Sequence, residues 1–121
     1  MRVYIAGPMR SIKFFNYPAF HAAARKLRAE GYQVFNPAEM DTAANGRDVS
    51  IGNETGSLEQ AAQEHGFNLR HALRNDTAWI CAYADCIAML PGWEQSKGAI
   101  AEHALAVALG LKIIYLRDGE F

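Results

Sequence analysis

The chain has 121 residues, enough for one hydrophobic core and too few for two ordinary domains. Half of it is hydrophobic and 21% is charged, the balance of a globular protein. A formal net charge of -1, with no basic run and no interleaving of aromatic and basic residues, gives no electrostatic basis for binding a nucleic acid polymer or an anionic membrane.

The N-terminal MRVYIAGPM is interrupted too early to be a signal peptide. The longest apolar stretch, Ala104 to Leu111, falls short of the roughly 20 residues a membrane span needs. Cys81 and Cys86 match neither a CxxC motif nor a disulfide framework, so both are expected to be reduced, buried thiols in a cytoplasmic protein.

Arg2 to Ala6 is short, β-branched and aromatic, and stops at Gly7-Pro8; it predicts a buried first strand. After an irregular stretch, Pro18 sits where the first turn of a helix tolerates it. Phe20, Ala23, Ala24 and Leu27 then recur at helical spacing, and Gly31 supplies the stop. Tyr32 to Asn36 predicts a second strand ended by Pro37. Residues 40–66 are polar, rich in Gly and Asn, and lack a hydrophobic face; they predict a flexible flap with a short helix around Leu58 to Glu64.

Phe67 to Ala84 is helical in pattern, with a possible break at Asn75-Asp76, where Asp76 would cap a second segment. Cys86 to Leu90 predicts a third buried strand closed by Pro91-Gly92. Ser96 is a natural N-cap for a helix running to Leu109, which Gly110 ends. Lys112 to Leu116 predicts the fourth strand. Apolar strands alternating with helices imply an α/β fold: a Rossmann- or flavodoxin-like parallel sheet of four to five strands with helices on both faces, in a single domain over 1–121. Ligands of such sheets bind beyond the carboxyl ends of the strands. The segments there are Gly7 to Asn16, Pro37 onward, and Pro91 to Ser96.

Glu102 interrupts a helix that is otherwise nearly all Ala, Ile, Leu and Val, and which is expected to be buried on most of its circumference. Helical spacing puts Glu102 on a face with Ala99, Ala106 and Leu109. A carboxylate there costs several kcal/mol unless it is partnered or opens on a cavity, so it is either a rim residue or a functional acid. At the start of the same helix, Ser96, Lys97 and Gly98 stand where free N–H groups and the helix dipole favour an anion, although an ordinary capped helix has the same appearance. Gly7, Pro8, Met9, Arg10 and Ser11 form a second strand-end loop; it is neither GxGxxG nor a Walker loop, yet suits one phosphate or a sugar. Asp76 reads as a cap and Asp85 as a strand start, while Trp93 and Tyr17 suit either base stacking or packing. The four histidines lack metal-ligand spacing, so no metal is expected.

YIAGPM at 4–9, NYPAF at 16–20, VFNPAE at 34–39 and DCIAMLPGWEQSKGAIAEHALAVALG at 85–110 resemble the DUF4406 family, common in phage genomes. That family looks like a branch of the nucleoside 2-deoxyribosyltransferase superfamily, which includes 2'-deoxynucleoside 5'-phosphate N-hydrolases. The resemblance implies that Glu102 of SxGxxxE (Ser96, Gly98, Glu102) is the nucleophile and that Ser96 binds a 5'-phosphate. It matches Gly7, Pro8, Met9 and Arg10 to a first-loop G-S-I-R, with Pro8 in place of Ser. It further implies an Asp that assists the leaving base, best matched by Asp76, and a homodimer or larger assembly. The reaction so implied needs no cofactor: a carboxylate traps C1' as a glycosyl ester and a second acid protonates the base. A hydroxyl from Tyr4 or Tyr17, or from the sugar itself, would donate to the nucleophile. The expected ligand is thus a small nucleotide or nucleoside. The rival expectation is a non-catalytic nucleotide-binding or sensing module.

Overall fold

A computed structural model of the chain describes residues 1–10, 12–40, 56, 69–119 and 121. Its sheet comprises β1 (Arg2–Ala6), β2 (Gln33–Phe35), β3 (Cys86–Met89) and β4 (Lys112–Tyr115). The order is β2-β1-β3-β4 and every neighbouring pair is parallel. This is the flavodoxin-like order, carried here by four strands. The longer helices among the described residues are α1 (Tyr17–Ala29), α2 (Leu69–Tyr83) and α3 (Lys97–Leu109).

Alternation along the strands splits the core in two. Val3 and Ile5 of β1, with Cys86, Ala88 and Leu90, pack on Phe20, Ala23, Ala24 and Leu27 of α1. Tyr4, Ala6, Ile87 and Met89 face the other way, onto Ile80 of α2 and Ala99 and Ala106 of α3. Helices therefore cover both faces of the sheet, and the central strands are buried on both sides as parallel strands require.

Local chemistry explains the boundaries. Pro18 sits in the first turn of α1, and Gly31 adopts φ 95° just beyond it. Asn36 ends β2 and accepts a hydrogen bond from the Ala38 N–H at 3.0 Å, opening a helical stretch over 37–40. Ser96 caps α3 by accepting from the Ala99 N–H at 3.2 Å, and Gly110 closes it at φ 71°.

Three expectations are corrected. The helix through Asn75-Asp76 is not broken: α2 is continuous from Leu69 to Tyr83, and Asp76 lies in its interior. Position 76 falls one turn before Ile80 on the inward face, so geometry assigns it to the interior and not to a cap. Cys86 is buried, but Cys81 is exposed because α2 turns that side outward. α3 is not buried on most of its circumference: Ile100, Val107 and Leu109 are 45%, 58% and 46% exposed. The flap and helix expected within 40–66 lie outside the described residues, save for Met40 and Gly56. None of the described helices is long and apolar enough to cross a membrane.

Candidate active site

The irregular segments after β1, β2 and β3 meet at the carboxyl ends of the strands and enclose a cavity of about 670 Å³. That is ample for a mononucleotide-sized ligand. Gly7, Pro8, Met9 and Arg10 form its wall after β1, and Ser96, Lys97 and Gly98 form the wall at the start of α3. Phe15, Tyr17, Phe20 and Leu73 supply much of its apolar surface.

Gly7 is required by packing. A Cβ there would lie 2.6 Å from Leu90 Cβ, so only glycine lets the loop leave β1 so close to β3. The loop then turns through Phe14, Phe15 and Asn16, all left-handed at φ 54°, 51° and 58°. Non-glycine residues resist this conformation by about 1–2 kcal/mol each. Burial of the Phe15 ring, 3% exposed, in the α1 core offsets that strain and sets Phe15 against the cavity.

Two carboxylates face the cavity, and both are buried: Glu102 is 6% exposed and Asp76 is 8%. Glu102 stands on the inward stripe of α3 with Ala99 and Ala106, whose small side chains leave the space it occupies. Asp76 comes from α2, in line with the cavity residues Ala72 and Leu73. Between them stands Tyr4 of β1, whose hydroxyl donates to Glu102 Oε2 and also lies in hydrogen-bonding reach of Asp76. Burial raises the Tyr4 phenol well above its ordinary pKa, and the Glu102 and Asp76 charges and hydrogen bonds push it further up. The Tyr4 ring is fixed by stacking on Phe35 at 5.3 Å, and Phe35 packs on Trp79 at 4.7 Å.

The oxygens of both carboxyl groups lie within reach of one hydroxyl. Two buried carboxyl groups lining one cavity can in chemical terms attack and protonate a single bond.

The structure gathers most residues singled out in the sequence. Glu102, Asp76, Gly7, Pro8, Met9, Arg10, Tyr17, Ser96 and Gly98 all border this same cavity. Trp93 stands apart: it stacks on His103 at 4.3 Å and leans on Tyr115, away from the lining residues. Asp85 accepts from the Arg2 N–H at 2.8 Å and pairs with the Arg2 side chain, a structural role. Sequence reasoning gave no place to Phe15 or Leu73 and read Phe20 only as a core residue of its helix, since apolar residues carry no chemical signal until the fold turns them to a cavity. No three His, Cys, Asp or Glu side chains gather as a metal site among the described residues.

Behind the cavity, Arg28 grips Glu39 with two bonds, at 2.7 and 3.0 Å, and holds the Glu39 carboxyl below its ordinary pKa. Asn36 adds bonds to His21 at 3.2 Å and Glu39 at 3.3 Å, tying α1 to the segment that places Pro37 on the cavity.

A flavodoxin-like parallel sheet with two buried acidic side chains on a cavity at its strand ends defines an α/β protein. The chain belongs to the DUF4406 family, described as a domain of unknown function, whose profile matches residues 1–115. Comparisons with curated proteins and with solved structures returned no match.

Proposed function

We propose that the protein cleaves the N-glycosidic bond of a 2'-deoxynucleoside 5'-monophosphate, by hydrolysis or by deoxyribosyl transfer, through a glycosyl ester on Glu102. The observation that carries this reading is Glu102 itself: a carboxylate in an apolar helix, held by Tyr4 and facing a cavity it shares with Asp76.

The spacing along α3 suits a nucleotide. Gly98 and Lys97 precede Glu102 by four and five residues, which is about 6 to 7.5 Å along the helix axis. A phosphoryl group at the N-terminus of α3 thus leaves room for one sugar ring before the carboxylate. There Glu102 attacks C1', the C1'–N bond breaks, and its electron pair leaves with the base, which takes a proton from Asp76. Water then attacks C1', returns its proton to Asp76 and releases deoxyribose 5-phosphate with Glu102 restored; an incoming base completes transfer in the same way. Tyr4 keeps Glu102 oriented and supplies the donor that an ionised carboxylate in an apolar wall needs.

Pro8 favours a second reading, a nucleotide-binding module without turnover. It stands buried on the cavity where a serine hydroxyl would otherwise assist. Release of free base from a nucleotide panel by the wild type, lost in Glu102→Ala, separates the two readings: a binding module shows ligand-induced stabilisation and no base.

The exposed, unpaired Cys81 supports a reducing compartment, so we place the protein in the cytoplasm. We also assign its apolar α3 face to a second copy of the chain. Beyond Lys97, Ile100, Ala104, Val107 and Ala108 form an exposed face of α3 with no charge to offer a charged partner. A two-fold pair presents that face to itself. One 13-residue helix gives less than the roughly 800 Å² per partner of a standard interface, so such a pair needs surface beyond α3 as well.

A further inference from the structure

We propose that Asn36 positions the Pro37 wall of the cavity and that His21 releases it on protonation, the two forming a pH-operated latch. Asn36 directly precedes that wall: β2 ends at Phe35, and the buried Pro37 lines the cavity. His21 stands on α1 behind two parts of the lining at once. It is hydrogen-bonded to Asn36 and set edge-on to the ring of the lining residue Tyr17 at 6.1 Å.

The Asn36 side chain is 2% exposed, and its oxygen and nitrogen are both engaged. The oxygen accepts from the Ala38 N–H at 3.0 Å, while the nitrogen contacts Glu39 Oε1 at 3.3 Å and His21 Nδ1 at 3.2 Å. Two of these partners leave no choice of amide orientation. A backbone N–H can only donate, so it takes the oxygen. The Glu39 carboxyl, held below its ordinary pKa by its bonds to Arg28, can only accept, so it takes the nitrogen. That nitrogen therefore points a hydrogen at His21 Nδ1, which must offer a lone pair. His21 is thus neutral in this arrangement, with its proton on Nε2.

A proton added to Nδ1 sets two donors against each other at 3.2 Å. Rotating the ring away would leave a buried amide hydrogen without an acceptor and break the Tyr17 contact. Turning the amide over instead gives the imidazolium an oxygen, and hydrogen bonds from a charged donor are the stronger ones. The turned amide then faces the Ala38 N–H with its nitrogen and the Glu39 carboxylate with its oxygen, so both bonds that shape residues 36–39 are lost. Glu39 attracts the imidazolium, whereas Arg28 and the exposed Arg25, one turn beyond His21 on α1, oppose it. Histidine is the ordinary side chain that changes charge between about pH 5 and 8, which makes it the proton sensor of the pair. Phe35, next to Asn36, stacks on Tyr4 at 5.3 Å, so loosening in acid reaches the cavity from two sides without touching either carboxylate.

Nitrogen-15 NMR of the histidine rings reads the tautomer, and amide-proton exchange at Ala38 reads the Asn36 bond. At about pH 8, His21 is expected to carry its proton on Nε2 and none on Nδ1. On acidification, Ala38 protection, corrected for the intrinsic pH dependence of exchange, should fall about tenfold, the worth of one hydrogen bond, with the midpoint of the His21 titration. His21→Asn keeps an acceptor oxygen near the Nδ1 position but does not titrate, so its Ala38 protection should show no such step. Where the wild type releases base from a nucleotide, KM is expected to rise across that midpoint and to stay level in His21→Asn. A proton on Nδ1 in neutral His21, or Ala38 protection that ignores the His21 titration, overturns the latch in the wild type alone. A step that persists in His21→Asn, or a wild-type KM that stays level, overturns it as well. The Ala38 step in a protein that hydrolyses no nucleotide upholds the latch and sinks only the glycosidase reading.

Discussion

Tyr4 has one proton to donate and two buried carboxylates beside it. Tyr4→Phe keeps the ring stacked on Phe35 and removes only that donor. A hydrogen bond to a charged group contributes about 1.5–3 kcal/mol. Glycosidic cleavage is therefore expected to fall roughly ten- to hundred-fold in Tyr4→Phe with the fold retained, as read from kcat beside a circular dichroism melt; unchanged kcat would remove Tyr4 from the mechanism. The raised phenol pKa also has a sign. It leaves stability untouched below the unfolded value near 10 and withdraws it as the pH climbs beyond, so Tyr4→Phe should lose stability less steeply in alkali. At this scale the sequence was unevenly legible. Glu102 announces itself as an acid among alanines, whereas Asp76 looks like a cap because Asn-Asp pairs so often are. Tyr4 was named as a donor to the nucleophile only beside Tyr17, since periodicity tells which face a residue takes but not what waits there; the fold selects Tyr4.

The elements themselves were largely readable, because prolines, glycines and a serine cap punctuate them. The four strands and α3 fall within about a residue of their expected ends. α2 was the exception. Asn75 and Asp76 suggest a break, but Thr77 returns its hydroxyl to the Leu73 carbonyl at 2.7 Å and Ile80 anchors the next turn in the core, so the helix continues. Gly7 shows the reverse case, in which a legible glycine has an illegible reason. Its crowding by Leu90 arises from the pairing of β1 with β3, far apart in sequence. Gly7→Ala is expected to lower stability by about 1–3 kcal/mol through overpacking of the Leu90 side chain. Chemical denaturation checks this, and a variant as stable as the wild type would show that the β1 loop relaxes freely.

For the whole molecule, alternating strands and helices foretold a doubly covered parallel sheet, and the order β2-β1-β3-β4 bears that out. What the sequence misstated was the burial of α3. An apolar helix reads as buried, but sequence does not say whether the cover comes from the same chain. Pairing through this face predicts a dimer in sedimentation, and Val107→Lys should shift it to monomer with its secondary structure unchanged. A monomeric wild type at micromolar concentration would contradict the assignment.

The most direct test of the carboxylate site is a panel of deoxynucleoside 5'-monophosphates incubated with the wild type and with Glu102→Ala, with free base measured by chromatography. The catalytic reading predicts base release from at least one nucleotide by the wild type and none above background from the variant. Equal release by both proteins, or none by the wild type, would contradict a glycosyl ester on Glu102.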